Sequence, residues 1–190
     1  MITLGRLAAS GAAAVAVVAT AASCAAPSSV VAPTPTEPDA TDAEKAEAYK
    51  KGEDTLRAYI ANRNDDPMKP TPANLALDPC IVEQQRFIDS IRNDGETLKT
   101  KLDLVAVKPV DYTAMPVGNT IIVTCERLTG GIYDKTGKNV TVTPDGEPQS
   151  DKARLIGKRY SLIRPTSGGR MQVKYADAVS AYDPEPPKPC

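Results

Sequence analysis

An α+β fold is predicted for the centre of this 190-residue chain, with helices first and an antiparallel sheet after them. Two observations carry the prediction. Up to Gly95 the apolar residues recur at helical spacing, and beyond it the period drops to two. A third sets the limits. The stretches before Thr41 and after Tyr182 show neither period and are rich in small residues or proline. Residues 41–182 therefore make one domain of ordinary size. With one Phe and no Trp, its core must rest on Leu, Ile, Val and Tyr.

Residues 1–23 have the layout of a secretory signal. Met1 to Arg6 is cationic, Leu7 to Ser23 is uncharged and rich in Ala and Val, and the run ends in small residues. Ala21-Ala22-Ser23-Cys24 resembles a bacterial lipobox, with Ala21 where Leu is usual. That resemblance implies cleavage before Cys24 and acylation (palmitate among the chains) of its thiol. The alternative is an ordinary cut after Ala21 in Ala19-Thr20-Ala21, leaving Cys24 a free thiol. Each acyl methylene buried in a bilayer contributes roughly 0.8 kcal/mol, so two or three chains hold a protein almost permanently. Residues 24–40 are a Pro/Thr-rich linker that cannot pack and reads as a stalk. Leader and stalk together look like those of actinobacterial lipoproteins. The expected location is lipid-anchored, at the extracytoplasmic face of the cell envelope. Residues 183–190 form a tail with four prolines.

The first helix starts at Thr41, where Glu44 three residues on completes a capping box. Ala46, Tyr49, Leu56, Tyr59 and Ile60 mark its apolar spacing, and it ends between Asn62 and Pro67. Thr71-Pro72 opens a short turn covering Leu75 and Leu77. Asp78-Pro79 reads as N-cap and first position of a further helix that stops at Gly95, with Cys80, Ile81, Phe87, Ile88 and Ile91 on its apolar face.

The first strand places Leu98, Thr100, Leu102, Leu104 and Ala106 on one face and Lys99, Lys101 and Asp103 on the other. A second runs from Thr120 to Leu128, with Ile121, Val123 and Cys125 on one side. Gly130-Gly131 and Asp134 to Asn139 are turns, Val140 and Val142 suggest a short strand, and Pro144-Asp145-Gly146 is a turn. Ala153 to Arg164 and Arg170 to Ala178 are strands flanking a hairpin at Thr166 to Gly169.

Helices followed by such strands resemble the NTF2-like (cystatin-like) cone, here over residues 41–182. The resemblance rests on the opening helix with Tyr49 and Tyr59 and on the closing hairpin. It implies helices packed on a curved sheet around a pocket, which Tyr49, Tyr59, Phe87, Tyr160 and Tyr175 would line. Enzymes of that family place Asp, Tyr or His inside the cone; carried over, this makes Asp103, Tyr112, Tyr160 and Tyr175 the inward candidates. Asp103 sits with lysines, however, and Tyr160 alternates with Ile156 and Leu162 as a core residue would.

There is no histidine. That removes the usual neutral-pH base, the commonest zinc ligand and every Ser-His or Cys-His pair. Cys80 and Cys125 sit on the apolar faces of helix and strand, so a disulfide between them is one expectation and two buried thiols the other. Such a bridge would close 45 positions, worth about 4 kcal/mol in the chain-entropy model. Cys190 is left as a free thiol, an intermolecular link, or the partner of either. Three cysteines without CxxC spacing do not make a metal site. Lys135 to Lys138 lacks the glycine of a phosphate loop and reads as a hairpin tip. The net charge of −1, with basic residues scattered among carboxylates, argues against nucleic acid.

The expected function is non-catalytic, without cofactor: a membrane-anchored module binding a small apolar ligand, a lipid or an envelope protein. The alternatives are a ketosteroid-isomerase-like or dehydratase-like enzyme, and a phage-encoded lipoprotein that excludes superinfection.

Overall fold

The computed structural model describes residues 40–113, 118–142, 146–164 and 169–178. The leader, Cys24, the linker, Cys190 and the proline-rich tail lie outside the described residues, as do Pro144-Asp145 and most of the closing hairpin.

Helix α1 spans Asp42–Asp65 and α2 spans Asp78–Asn93. Strands β1 (Thr97–Thr113), β2 (Asn119–Tyr133), β3 (Arg154–Ile163) and β4 (Gln172–Ala178) form one antiparallel sheet in the order β1-β2-β3-β4. The sheet is a curved half-barrel, with both helices packed on one face. Irregular register in β1 and again between β3 and β4 bends it, as an unpaired residue in a ladder does.

Local chemistry sets the helix ends. The Thr41 hydroxyl oxygen accepts from Glu44 N at 3.3 Å, and Glu44 Oε2 accepts from Thr41 N at 2.8 Å, which completes the capping box. Pro79 pre-sets the first turn of α2, whose N-cap is Leu77, one residue earlier than expected. Gly95, at φ +72°, closes α2: its N–H reaches Arg92 O and that of Glu96 reaches Ile91 O. Between the helices, Leu75 to Leu77 clips onto β4 through Leu77 N to Val173 O at 3.0 Å and Val173 N to Leu75 O at 2.8 Å.

Several sequence expectations are corrected. An extra residue at Val105 shifts the register, so Leu104 pairs with Glu126 and Ala106 with Cys125. Leu98, Thr100, Leu102 and Leu104 keep one face, and Ala106 crosses to the other. Strand β1 then continues to Thr113 through Pro109, which its open edge tolerates. Gly130-Gly131 is not a turn but lies inside β2. The true tip is Asp134 to Lys138, where Asp134 Oδ1 accepts from the N–H of Thr136 at 2.8 Å and of Lys138 at 3.0 Å. Val140 and Val142 form no strand; the neighbouring pairings are isolated bridges, Tyr133 with Asn139 and Val142 with Pro148.

The main core lies between helices and sheet and contains Leu56, Tyr59, Ile60, Cys80, Ile122, Tyr160, Leu162 and Val173. The Tyr59 and Tyr160 rings meet edge to face, centroids 6.2 Å apart, a favourable arrangement of their quadrupoles. A second cluster of Ile91, Leu98 and Ile132 is flanked by Met68, Phe87 and Val140. Strand β2 is buried along both faces from Thr120 to Glu126. Its even-numbered residues face the helices, because Ile122 belongs to the main core. Cys125 alternates with them and stands behind the sheet, whereas Cys80 is in the core in front of it. Neither cysteine is a free thiol.

Candidate functional site

Strand alternation also carries charge into the interior. On β3, Ile156, Lys158, Tyr160 and Leu162 have one parity, so Lys158 is forced onto the helix-facing side between apolar neighbours. On β2 the same rule turns Thr124 and Glu126 inward beside Ile122. Glu126 is wholly buried and Lys158 nearly so.

These groups bond to one another, except that Glu126 Oε2 makes no hydrogen bond. Glu126 Oε1 accepts from the Tyr160 hydroxyl at 2.6 Å and from Thr124 Oγ1 at 2.9 Å. Its Oε2 faces Lys158 Nζ at 3.3 Å. Burial pushes the Lys158 pKa down against the opposing pull of Glu126. Burial, reinforced by the Glu126 charge, pushes the Tyr160 phenol well above its ordinary value. A second chain braces Tyr59, whose hydroxyl oxygen accepts from Gln84 Nε2 at 2.7 Å while Gln84 Oε1 accepts from Thr71 N at 3.0 Å.

Beside this network a small cleft, with a cavity volume of about 50 Å³, opens between the end of α1, the middle of α2 and the inner face of the sheet. Phe87, Leu98, Leu102, Leu128 and Ile156 make its walls apolar. Arg63, Arg154 and Lys158 also line it, and among its described lining residues there is no carboxylate. The Nη1 of Arg63 is buried without a hydrogen-bond partner. Asn64, next in the helix, joins the end of α1 to β1: its Nδ2 donates to Leu102 O and its Oδ1 accepts from Leu102 N, both at 2.8 Å. Arg154 donates to Gln149 Oε1, and burial lowers its pKa.

Of the five residues expected to line a pocket, Phe87 does so. Tyr59 and Tyr160 are buried in the core beneath it. Tyr175 packs partly against that core with Lys174 over its ring, and Tyr49 is half-buried on α1, away from the cleft. Asp103 pairs at the surface with Lys101 at 3.5 Å. Tyr112 lines a separate hollow with Arg164 near the start of α1. The residues that sequence reasoning missed are Arg63, Glu126, Arg154 and Lys158. For Lys158 the signal was present, since it falls between Ile156 and Tyr160 in the alternation already recognised.

Among the described residues no group of His, Cys, Asp and Glu is arranged to hold a metal ion, and no helix is long and apolar enough to cross a membrane. No family model matches the chain, and no curated protein matches it. Among solved structures, the intermembrane space region of the chloroplast protein ARC6 is similar over 75% of this chain and 100% of that chain, at 12% identity and a TM-score of 0.44. A likeness of that degree carries no functional argument.

Proposed function

We propose that this chain is a non-catalytic binding module, held at an envelope membrane by a lipid on Cys24, whose cleft takes a small ligand with an apolar body. The cleft carries the reading: apolar side chains from α2, β1, β2 and β3 converge on one small concavity beside a few polar groups. The anchor and its stalk rest on the leader sequence, and the NTF2-like cone is a reading of helices packed on a curved sheet. Two measurements test the proposal. Native mass spectrometry of protein isolated from its own host should show a co-purifying small molecule; persistently ligand-free protein would count against it. Cys24→Ser should abolish detergent partitioning and change the mature mass, and unchanged values would remove the anchor.

One observation favours the rival, an isomerase-like or dehydratase-like enzyme: a buried carboxylate, Glu126, bonded to a buried phenol, Tyr160. Neither residue lines the cleft, and both are fully buried. A base must come within hydrogen-bond reach of the proton it removes, so the binding reading is preferred. Turnover of a cyclic enone or a hydroxy-acyl substrate, lost in Glu126→Gln, would reverse that preference.

A further inference from the structure

We infer that the back of the sheet, where Lys99, Lys101, Arg127 and Leu155 stand together, is a docking face for an anionic lipid surface. This face is separate from the cleft. The inference leans on the anchored reading to bring a bilayer within reach, and its test dispenses with the anchor, so the two can fail separately.

Placement is the first argument. Leu98 and Leu102 pack toward the helices, so alternation puts Lys99, Lys101 and Asp103 behind the sheet. The same rule sends Arg127 and Leu155 there, since Glu126 and Ile156 point inward. Strand register sets them side by side: Asp103 pairs with Arg127, and Arg127 with Leu155. Val105, the extra residue of the β1 bulge, stands at the edge beside them. Leu155 is 54% exposed and Val105 49%. Two apolar side chains held in water next to three cations suit the boundary of a bilayer, where phosphate lies next to hydrocarbon.

Charge is the second argument. Three cations in this patch oppose one carboxylate. Asp103 meets Lys101 at 3.5 Å with both side chains largely in water, a pairing too weak to neutralise the face. Lys99 Nζ lies 5.4 Å from the Tyr133 ring centroid, which steadies it without cancelling its charge. The four strands carry twice as many cations as carboxylates, whereas each helix carries more carboxylates than cations. A negative surface therefore attracts the sheet and repels the helices, which selects one orientation.

Reach is the third. The stretch from Ala25 to Ala40 is long enough to extend about 55 Å. That matches the length of the 17-residue β1, so a tether at Cys24 does not hold the back of the sheet off the bilayer.

The test uses the mature chain carrying Cys24→Ser, so that no acyl chain contributes. Its probes are vesicles of phosphatidylcholine alone and of phosphatidylcholine with phosphatidylglycerol in equal parts, read by co-sedimentation. Binding should require phosphatidylglycerol and weaken as salt rises above about 0.1 M. Each cation removed should weaken it about fivefold, so Lys99→Gln with Lys101→Gln should lose about 25-fold. Leu155→Ser should lose about three- to tenfold through its missing insertion. Lys50→Gln, on the exposed side of α1, should change nothing. Unchanged thermal midpoints establish that each variant is folded. No binding to the phosphatidylglycerol vesicles would overturn the inference and leave anchor and binding module standing. A loss in Lys50→Gln as large as in Lys101→Gln would overturn it in favour of diffuse charge attraction. Binding to polyglutamate as tight as to vesicles, and indifferent to Leu155→Ser, would overturn it in favour of an acidic polypeptide partner.

Discussion

Lys158 and Glu126 face each other from adjacent strands at 3.3 Å, with side-chain exposures of 8% and 0%. Taking both charges out of water is expensive, and their attraction offsets it only while both are present. Lys158→Met leaves the Glu126 carboxylate buried without its cation and should cost about 3–5 kcal/mol. Glu126→Gln strands the ammonium and should cost a similar amount. The double variant keeps an acceptor for Tyr160 and removes both charges, so it should fall within about 2 kcal/mol of the wild type. Urea unfolding of the four proteins checks the cycle. Additive losses would mean that the pair is not coupled.

The sequence was informative where a local rule decides the backbone and silent where tertiary contact does. Thr41 with Glu44, and Pro79 with Gly95, bracket the helices because capping is satisfied within a few residues. The bulge at Val105 has no such mark. It is imposed by pairing with β2, and it moved Ala106 to the wrong face of the reading. Paired glycines usually mark a turn, yet Gly130 and Gly131 stay in the strand, where Gly130 lets the Lys99 carbonyl come close and Gly131 leaves room for the Thr141 and Asn139 side chains. The cleft was hardest to see. Periodicity located Ile156, Tyr160 and Leu162, but Lys158 between them looks like a surface residue until its partner on β2 is known. Arg63 lies near the end of α1, where a basic residue is expected to complement the helix dipole in solvent rather than to enter a cleft.

Gly130 holds φ +79°, and a side-chain carbon there would collide with the Lys99 carbonyl oxygen across the β1–β2 ladder. Backbone cannot yield as the end of a flexible side chain can. Gly130→Ala should therefore cost about 2–4 kcal/mol, combining conformational strain with loss of local pairing. Gly137 has a similar φ of +83° but open space around it, so Gly137→Ala should lose only the conformational part, about 1 kcal/mol. Denaturant midpoints of the two variants separate clash from strain, and equal losses would show that the Lys99 contact is unimportant.

Tyr160 and Lys158 give the alkaline limb opposing slopes. The folded chain holds the Tyr160 phenol neutral to a higher pH than the unfolded chain, which releases the proton near about pH 10. The stability it contributes is therefore complete below that value and is lost as pH rises toward the raised folded pKa, by up to about 1.4 kcal/mol per pH unit. Lys158 has its folded pKa lowered, so stability is gained as pH rises from that value to the unfolded one near about 10.4. Tyr160→Phe should cost about 1–3 kcal/mol at pH 7 through the lost bond to Glu126. Above about pH 10 its gap to the wild type should narrow, because the variant has no phenol to ionise there. Tyr59, whose pKa burial also raises, would keep part of the alkaline slope in both proteins. Urea midpoints at neutral and alkaline pH decide the matter: a gap that stays constant would show that the folded Tyr160 phenol titrates as freely as it does in the unfolded chain.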